Sequence, residues 1–158
     1  MLRDKNLIPL SRQHQHALAL CVRIERASPI DESKLDQWQS EMAQQFEAEI
    51  KIHFAAEEQI VFPAAQSIVD LNPLVDQLLD EHRLLRSFFQ KAEQKEMRPE
   101  EVSEFARRLS EHVRKEERQL FERLQESLTS EELDRIGREL ERALESASQS
   151  CSLPTPKQ

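Results

Sequence analysis

Apolar residues recur at intervals of three and four along most of the chain, the period of helices that bury one face. Leu10, Ala17, Leu18, Cys21 and Ile24 mark a first helix, with Ser11 as its expected cap and Ser28-Pro29 as its stop. Trp38, Met42, Phe46, Ile50, His53, Glu57, Ile60 and Val61 mark a long second helix, opened by Asp31 or Ser33 and perturbed or closed at Pro63. A third starts at Asn72-Pro73 and carries Leu74, Val75, Leu78, Leu79, His82, Leu85 and Phe89 on one face. Arg98-Pro99-Glu100-Glu101 opens a fourth, because proline is accepted in a first turn and acidic side chains there favour the helix dipole. Its inward face is Val102, Phe105, Leu109, His112, Val113, Glu116, Leu120 and Leu124. Thr129, with Glu132 as capping-box partner, starts a fifth that carries Leu133, Ile136, Leu140 and Leu144.

Short connections make sequence neighbours spatial neighbours, so this pattern predicts an all-α protein built as an antiparallel up-and-down four-helix bundle. The bundle is expected over residues 1–128, an additional C-terminal helix over 129–146 and a flexible tail over 147–158. The fifth helix is expected to pack outside the bundle or against a partner.

Composition agrees with helices and short links: among 158 residues there is one Gly and no Tyr. The net charge of -8, with Arg and Lys alternating with Glu, argues against a nucleic-acid partner, which needs a concentrated basic surface. No apolar run reaches the roughly 18 residues of a membrane span and Met1 to Leu10 lacks a signal-like stretch, so a cytoplasmic protein without a membrane partner is expected. Cys21 reads as a small core residue and Cys151 as part of a polar tail, with no disulfide framework or thiolate metal site.

The chemistry lies in a stretch that occurs twice. His53-Phe-Ala-Ala-Glu57-Glu58-Gln-Ile-Val-Phe62 aligns without gaps on His112-Val-Arg-Lys-Glu116-Glu117-Arg-Gln-Leu-Phe121. Residues four apart share a helix face, so each copy presents an imidazole and a carboxylate together. The first and third helices each add a histidine. Superposing Leu10, His14, Ala17 and Cys21 on Leu78, His82, Leu85 and Phe89 matches the apolar faces and selects His14 over His16, which lies about 160° round the wheel. His16 is read as an exposed or rim residue. Four inward imidazoles and two inward carboxylates are costly to bury without a cation. His14, His53, Glu57, His82, His112 and Glu116 are therefore the candidate metal ligands, and their mixture suits iron best, with zinc or manganese as alternatives. Glu58 and Glu117, about 100° from their neighbours, are read as flanking or supporting groups. Glu49, one turn before His53, is either partly solvated at the edge of the face or a partner of that histidine.

His14 within Ser-Arg-Gln-His-Gln-His-Ala-Leu, His53-x-x-x-Glu57-Glu58 before Val-Phe-Pro, Glu81-His82-Arg83-x-Leu85, and His112-x-x-x-Glu116-Glu117 before Leu-Phe together resemble the hemerythrin-like, or HHE cation-binding, family. The resemblance spans about Leu10 to Phe121. It implies a four-helix bundle around two non-haem iron ions, oxo- or hydroxo-bridged, with the four histidines as terminal ligands and Glu57 and Glu116 as bridges. Oxygen-carrying members place a second histidine one turn after that of the third helix, where this chain has Arg86. One iron would then be more open to water or an exogenous ligand, or be completed by His16 or one of the extra glutamates. The expected function is that of a non-haem di-iron protein that binds dioxygen, nitric oxide or peroxide, in sensing, storage or handling. Two other classes remain open at this stage. One is a di-iron oxidase or peroxidase, for which no general acid, nucleophile or substrate pocket is legible. The other is a helical module whose fifth helix docks a protein partner, with metal as a folding staple.

Overall fold

The computed structural model describes residues 1–150, with side chains to residue 145, and shows no strand among them. Helix α1 is Ile8–Ala27. Helix α2 runs unbroken over residues 32–66, and inside it two wider π turns, Phe46–Ile50 and Glu57–Val61, interrupt the α-helical hydrogen bonding. Helix α3 is Asn72–Gln94. Helix α4 covers residues 99–127, again with a π turn, Glu116–Leu120. Helix α5 is Ser130–Ser150. The helix thus runs four residues past its expected end at 146, into the stretch expected to be a flexible tail, and the rest of that tail, residues 151–158 with Cys151, lies outside the described residues.

Several ends obey the chemistry of their residues. Asp31 caps α2 by accepting from the Ser33 N–H at 2.9 Å. Thr129 and Glu132 form the reciprocal capping box that opens α5, at 2.8 and 3.2 Å. Lys95 ends α3 in a left-handed conformation (φ 61), and the Glu96 N–H then reaches back to the Lys91 carbonyl at 2.9 Å. Ser11 does not cap α1. That helix begins one turn earlier, with Pro9 in its first turn, and the Ser11 hydroxyl instead donates to Glu117 Oε1 at 2.6 Å. Pro63 does not close α2 either. It sits at the start of the final segment Phe62–Gln66, directly after a π turn, where the wider spacing accommodates a residue that has no N–H to give.

The four main helices enclose two apolar clusters. One is built around Leu20, Cys21, Ile24, Met42, Leu85, Phe89, Phe105 and Leu109, the other around Leu10, Val61, Phe62, Leu78, Leu120, Phe121 and Leu124. Between them lies a layer of buried polar side chains. Helix α5 packs along α2 and buries Ile136, Leu140 and Leu144 in the second cluster, with Leu133 buried as well, so its apolar face is covered by the chain's own core. Leu18 and Leu79, expected to face inward, are only partly buried, and Leu20, Phe54, Phe88 and Ala92 take core positions instead. Phe54, four residues after Ile50 and three before Glu57, fits the spacing of that face and is held inward by stacking on His82 at 3.9 Å.

Glu101, nearly buried at the start of α4, accepts from Lys91 Nζ at 2.8 Å, Arg98 Nε at 3.0 Å and the Arg98 N–H at 3.2 Å. These contacts, Lys91 foremost, hold its pKa down at about 2. A lowered folded-state value means that the stabilisation is complete above the ordinary value near 4.5 and is lost as pH falls towards about 2. With Lys91 half-exposed and Arg98 largely exposed, the contribution is screened to about 1–2 kcal/mol. Urea unfolding of metal-free protein is expected to show Glu101→Gln weaker than wild type by that amount at neutral pH. The two should converge near pH 2, and a constant gap would contradict the assignment.

Candidate metal centre

The polar layer is made by one turn from each of four helices. His14 comes from α1, His53 and Glu57 from α2, His82 from α3, and His112 and Glu116 from α4; all six are 4 % exposed or less. Glu57 and Glu116 each stand at the first position of a π turn, and the N–H of the Phe five residues on, Phe62 or Phe121, bonds the glutamate's own carbonyl. The repeat read in the sequence is thus repeated in backbone geometry.

All four Nε2 atoms point to the middle of the layer. His14 and His53 bring theirs to 3.0 Å, and His82 and His112 to 3.1 Å. Glu57 lies across both pairs, with Oε1 2.7 Å from His53 Nε2 and 3.5 Å from His14 Nε2, and Oε2 3.2 Å from His82 Nε2. Glu116 does the same in the opposite sense, with Oε2 3.0 Å from His14 Nε2 and Oε1 3.0 Å from His112 Nε2 and 3.8 Å from His82 Nε2. Two sets of four donors result, His14, His53, Glu57, Glu116 and His82, His112, Glu57, Glu116, in each of which the donor atoms lie within 4.8 Å of one another. Both carboxylates belong to both sets.

The opposite ring nitrogens are tied outward. Nδ1 of His14 faces Glu117 Oε1 at 2.7 Å, that of His53 faces Gln13 Oε1 at 2.7 Å, that of His82 faces Glu58 Oε2 at 2.7 Å and that of His112 faces Glu81 Oε2 at 3.3 Å. Every one of these partners accepts, which places the proton on Nδ1 and leaves the Nε2 lone pair directed inward, the tautomer that a metal needs. The three outer carboxylates are held in turn by cations: Glu117 by Arg3 at 2.8 Å, Glu58 by Arg86 at 2.7 Å and Glu81 by Lys115. Phe54 stacks on His82 at 3.9 Å between centroids, with Phe62 beside it at 5.4 Å, and Phe121 stacks on His14 at 5.6 Å. These rings keep water from the layer.

The electrostatics show how tightly the cluster depends on positive charge. Burial alone would lower the His82 pKa, but Glu116, Glu57 and Glu58 overturn this and raise it to about 11. His14 and His112 are raised for the same reason, against the same penalty. Burial would raise Glu57 and Glu116, and the surrounding imidazoles instead hold both well below the ordinary carboxylate range. None of the four oxygens of Glu57 and Glu116 receives a hydrogen bond of good geometry, although all four are buried. Orphaned carboxylate oxygens and paired Nε2 atoms about 3 Å apart are the polar groups that a pair of cations would satisfy. The donor set therefore fits two divalent ions of intermediate hardness.

The remaining sequence candidates fall outside this layer. His16 is exposed on the far side of α1, where its Nδ1 meets Glu49 Oε1 at 2.9 Å. Glu49 is thus a partly solvated edge group and no partner of His53. Arg86 pairs with Glu58 and lies over the Phe54 ring, so the position of the missing histidine is filled by a group that braces His82 from outside. Gln13, Glu81, Arg3 and Lys115 were not singled out as site residues by sequence reasoning, since Gln13 and Glu81 support a histidine of another helix and Arg3 and Lys115 hold a carboxylate of another segment. For the first two a signal existed: each directly precedes a histidine, and the superposition of α1 on α3 pairs them.

Residues 9–124 match the family model of the Hemerythrin HHE cation binding domain. The chain belongs to that family. No curated protein and no solved structure matches it significantly. Among the described residues no helix is long and apolar enough to cross a membrane.

Proposed function

We propose that this chain is a non-haem di-iron protein that binds dioxygen or a related diatomic, with His14, His53, His82 and His112 as terminal ligands and Glu57 and Glu116 as shared ones. The observation that carries this reading is that two four-donor sets share both carboxylates, while every histidine is fixed from behind in the metal-binding tautomer. Reduced iron held there would supply electrons reversibly to a bound diatomic. The protein's own part is to hold the donors, exclude water and limit access.

Access is narrow. A cavity of about 10 Å³ abuts His14, His53 and His112 and is lined on its apolar side by Ala17, Ile50, Leu109 and Val113. That is room for roughly one water-sized guest. Two imidazoles and two carboxylate oxygens per ion leave positions for such a guest, and with Arg86 turned outward no third imidazole is offered to either ion.

Anaerobic reconstitution with ferrous iron, read by metal analysis and by near-ultraviolet charge-transfer absorption after air is admitted, tests the proposal. Two irons per chain and a new absorption band are expected. Fewer than one iron per chain, or the same loading in a His53→Ala, His112→Ala double variant, would remove the basis of the reading.

A further inference from the structure

The inner donors treat the two ion positions alike, and the difference in charge between them lies behind the rings. The chain's internal repeat makes this plain. Moving α1 onto α3 takes His14 to His82 and Gln13 to Glu81; moving the ligand turn of α2 onto that of α4 takes His53 to His112, Glu57 to Glu116 and Glu58 to Glu117. The outward contacts obey the same relation. Glu58 and Glu117 support the histidines of α3 and α1, and Glu81 and Gln13 support those of α4 and α2. Of the four supporting groups, three are carboxylates and one is an amide. Gln13 is the place where the two halves of the centre differ in charge.

A carboxylate behind an imidazole makes Nε2 a stronger donor than a neutral amide does, and loss of such a partner typically costs about 10–100-fold in metal affinity. The His82 and His112 position has two such carboxylates, though the Glu81 contact, at 3.3 Å, is the longest of the four. The His14 and His53 position has one. Resting on the di-metal reading above, we propose that the two positions are unequal: the first divalent cation enters between His82 and His112, the second enters between His14 and His53 at least about tenfold more weakly, and Gln13 sets the gap. Gln13 acts as a positioning residue, through His53, and does not itself touch the ion.

Other features agree. At the position that corresponds to Lys115, which holds Glu81, α2 has Ala56. No cation is therefore supplied on α2 to neutralise an acid at position 13, and Glu49 already brings a negative charge to the same cavity wall, paired with His16. An amide fits there at no electrostatic cost. The protein thereby has a singly loaded form as a distinct state.

The test uses zinc(II), which is diamagnetic, and the whole chain with labelled histidines. At one equivalent, the imidazole NMR signals of His82 and His112 are expected to move, with those of His14 and His53 unchanged until more is added. Calorimetric titration should resolve two steps. In Gln13→Glu the second step is expected to tighten by about tenfold with the first little changed, and in Glu81→Gln the first should weaken by a similar factor. Gln13→Leu, which adds no charge, should widen the gap and covers the case in which the acidic variant does not fold. Equal movement of all four signals at one equivalent, or a Gln13→Glu variant that shifts both steps alike, would overturn the inequality and leave a symmetric two-metal centre standing. Failure to bind zinc(II) or iron at all would overturn the di-metal reading itself.

Discussion

Removing both metals with a chelator is expected to lower the thermal midpoint of unfolding by about 10–20 °C, and restoring them to recover it. A ligand present at about a hundred times its dissociation constant stabilises the folded state by about 2.7 kcal/mol, so two ions supply roughly 5 kcal/mol. A domain of this size shifts by about 2–4 °C for each kcal/mol. The effect is large because the layer it acts on is a poor core by itself. Four orphaned carboxylate oxygens and four inward imidazoles sit where the clusters above and below are wholly apolar. Without cations, protons must serve, as the raised imidazoles and lowered carboxylates indicate. Differential scanning calorimetry of loaded and stripped protein measures the difference directly. An unchanged midpoint would mean that the cluster is satisfied by protons alone.

The second large effect separates shared from unshared ligands. His112→Ala removes a donor from one set only, and about one metal per chain should remain. Glu116→Ala removes an oxygen from both sets, each left with three protein donors, and loading is expected to drop below one. The variant also leaves imidazoles on four helices facing a single carboxylate, which raises the cost of bringing a cation's ligands together. Elemental analysis after gel filtration distinguishes the two outcomes. Equal loading in both variants would show that Glu116 does not serve two ions.

Much of the centre was legible from spacing, because an α-helix converts a separation of four into a shared face. His53 with Glu57 and His112 with Glu116 were visible in this way, and the match between α1 and α3 chose His14 over His16. What spacing could not show is what stands behind each ring. Gln13 reaches His53, Glu117 reaches His14 and Glu81 reaches His112 from neighbouring helices, and Arg3 reaches Glu117 from an N-terminal arm that carries no periodic signal. Phe54 was missed for a different reason. Its spacing from Ile50 and Glu57 suits the inward face, but His53 beside it already filled that turn, and the ring owes its place to stacking on His82 from another helix. The cap assigned to Ser11 failed through competition: its hydroxyl serves Glu117, and Pro9 begins the helix unaided.

The wide turns at Glu57–Val61 and Glu116–Leu120 each hold one surplus residue without disturbing the direction of the helix on either side. A chain one residue shorter at either point can close as ordinary α-helix and keep every flanking side chain in place. Relatives of this protein can thus differ in length by single residues just after the positions of Glu57 and Glu116, and a gap there in an alignment is a matter of helical winding, with no bearing on whether the buried histidines and glutamates are retained.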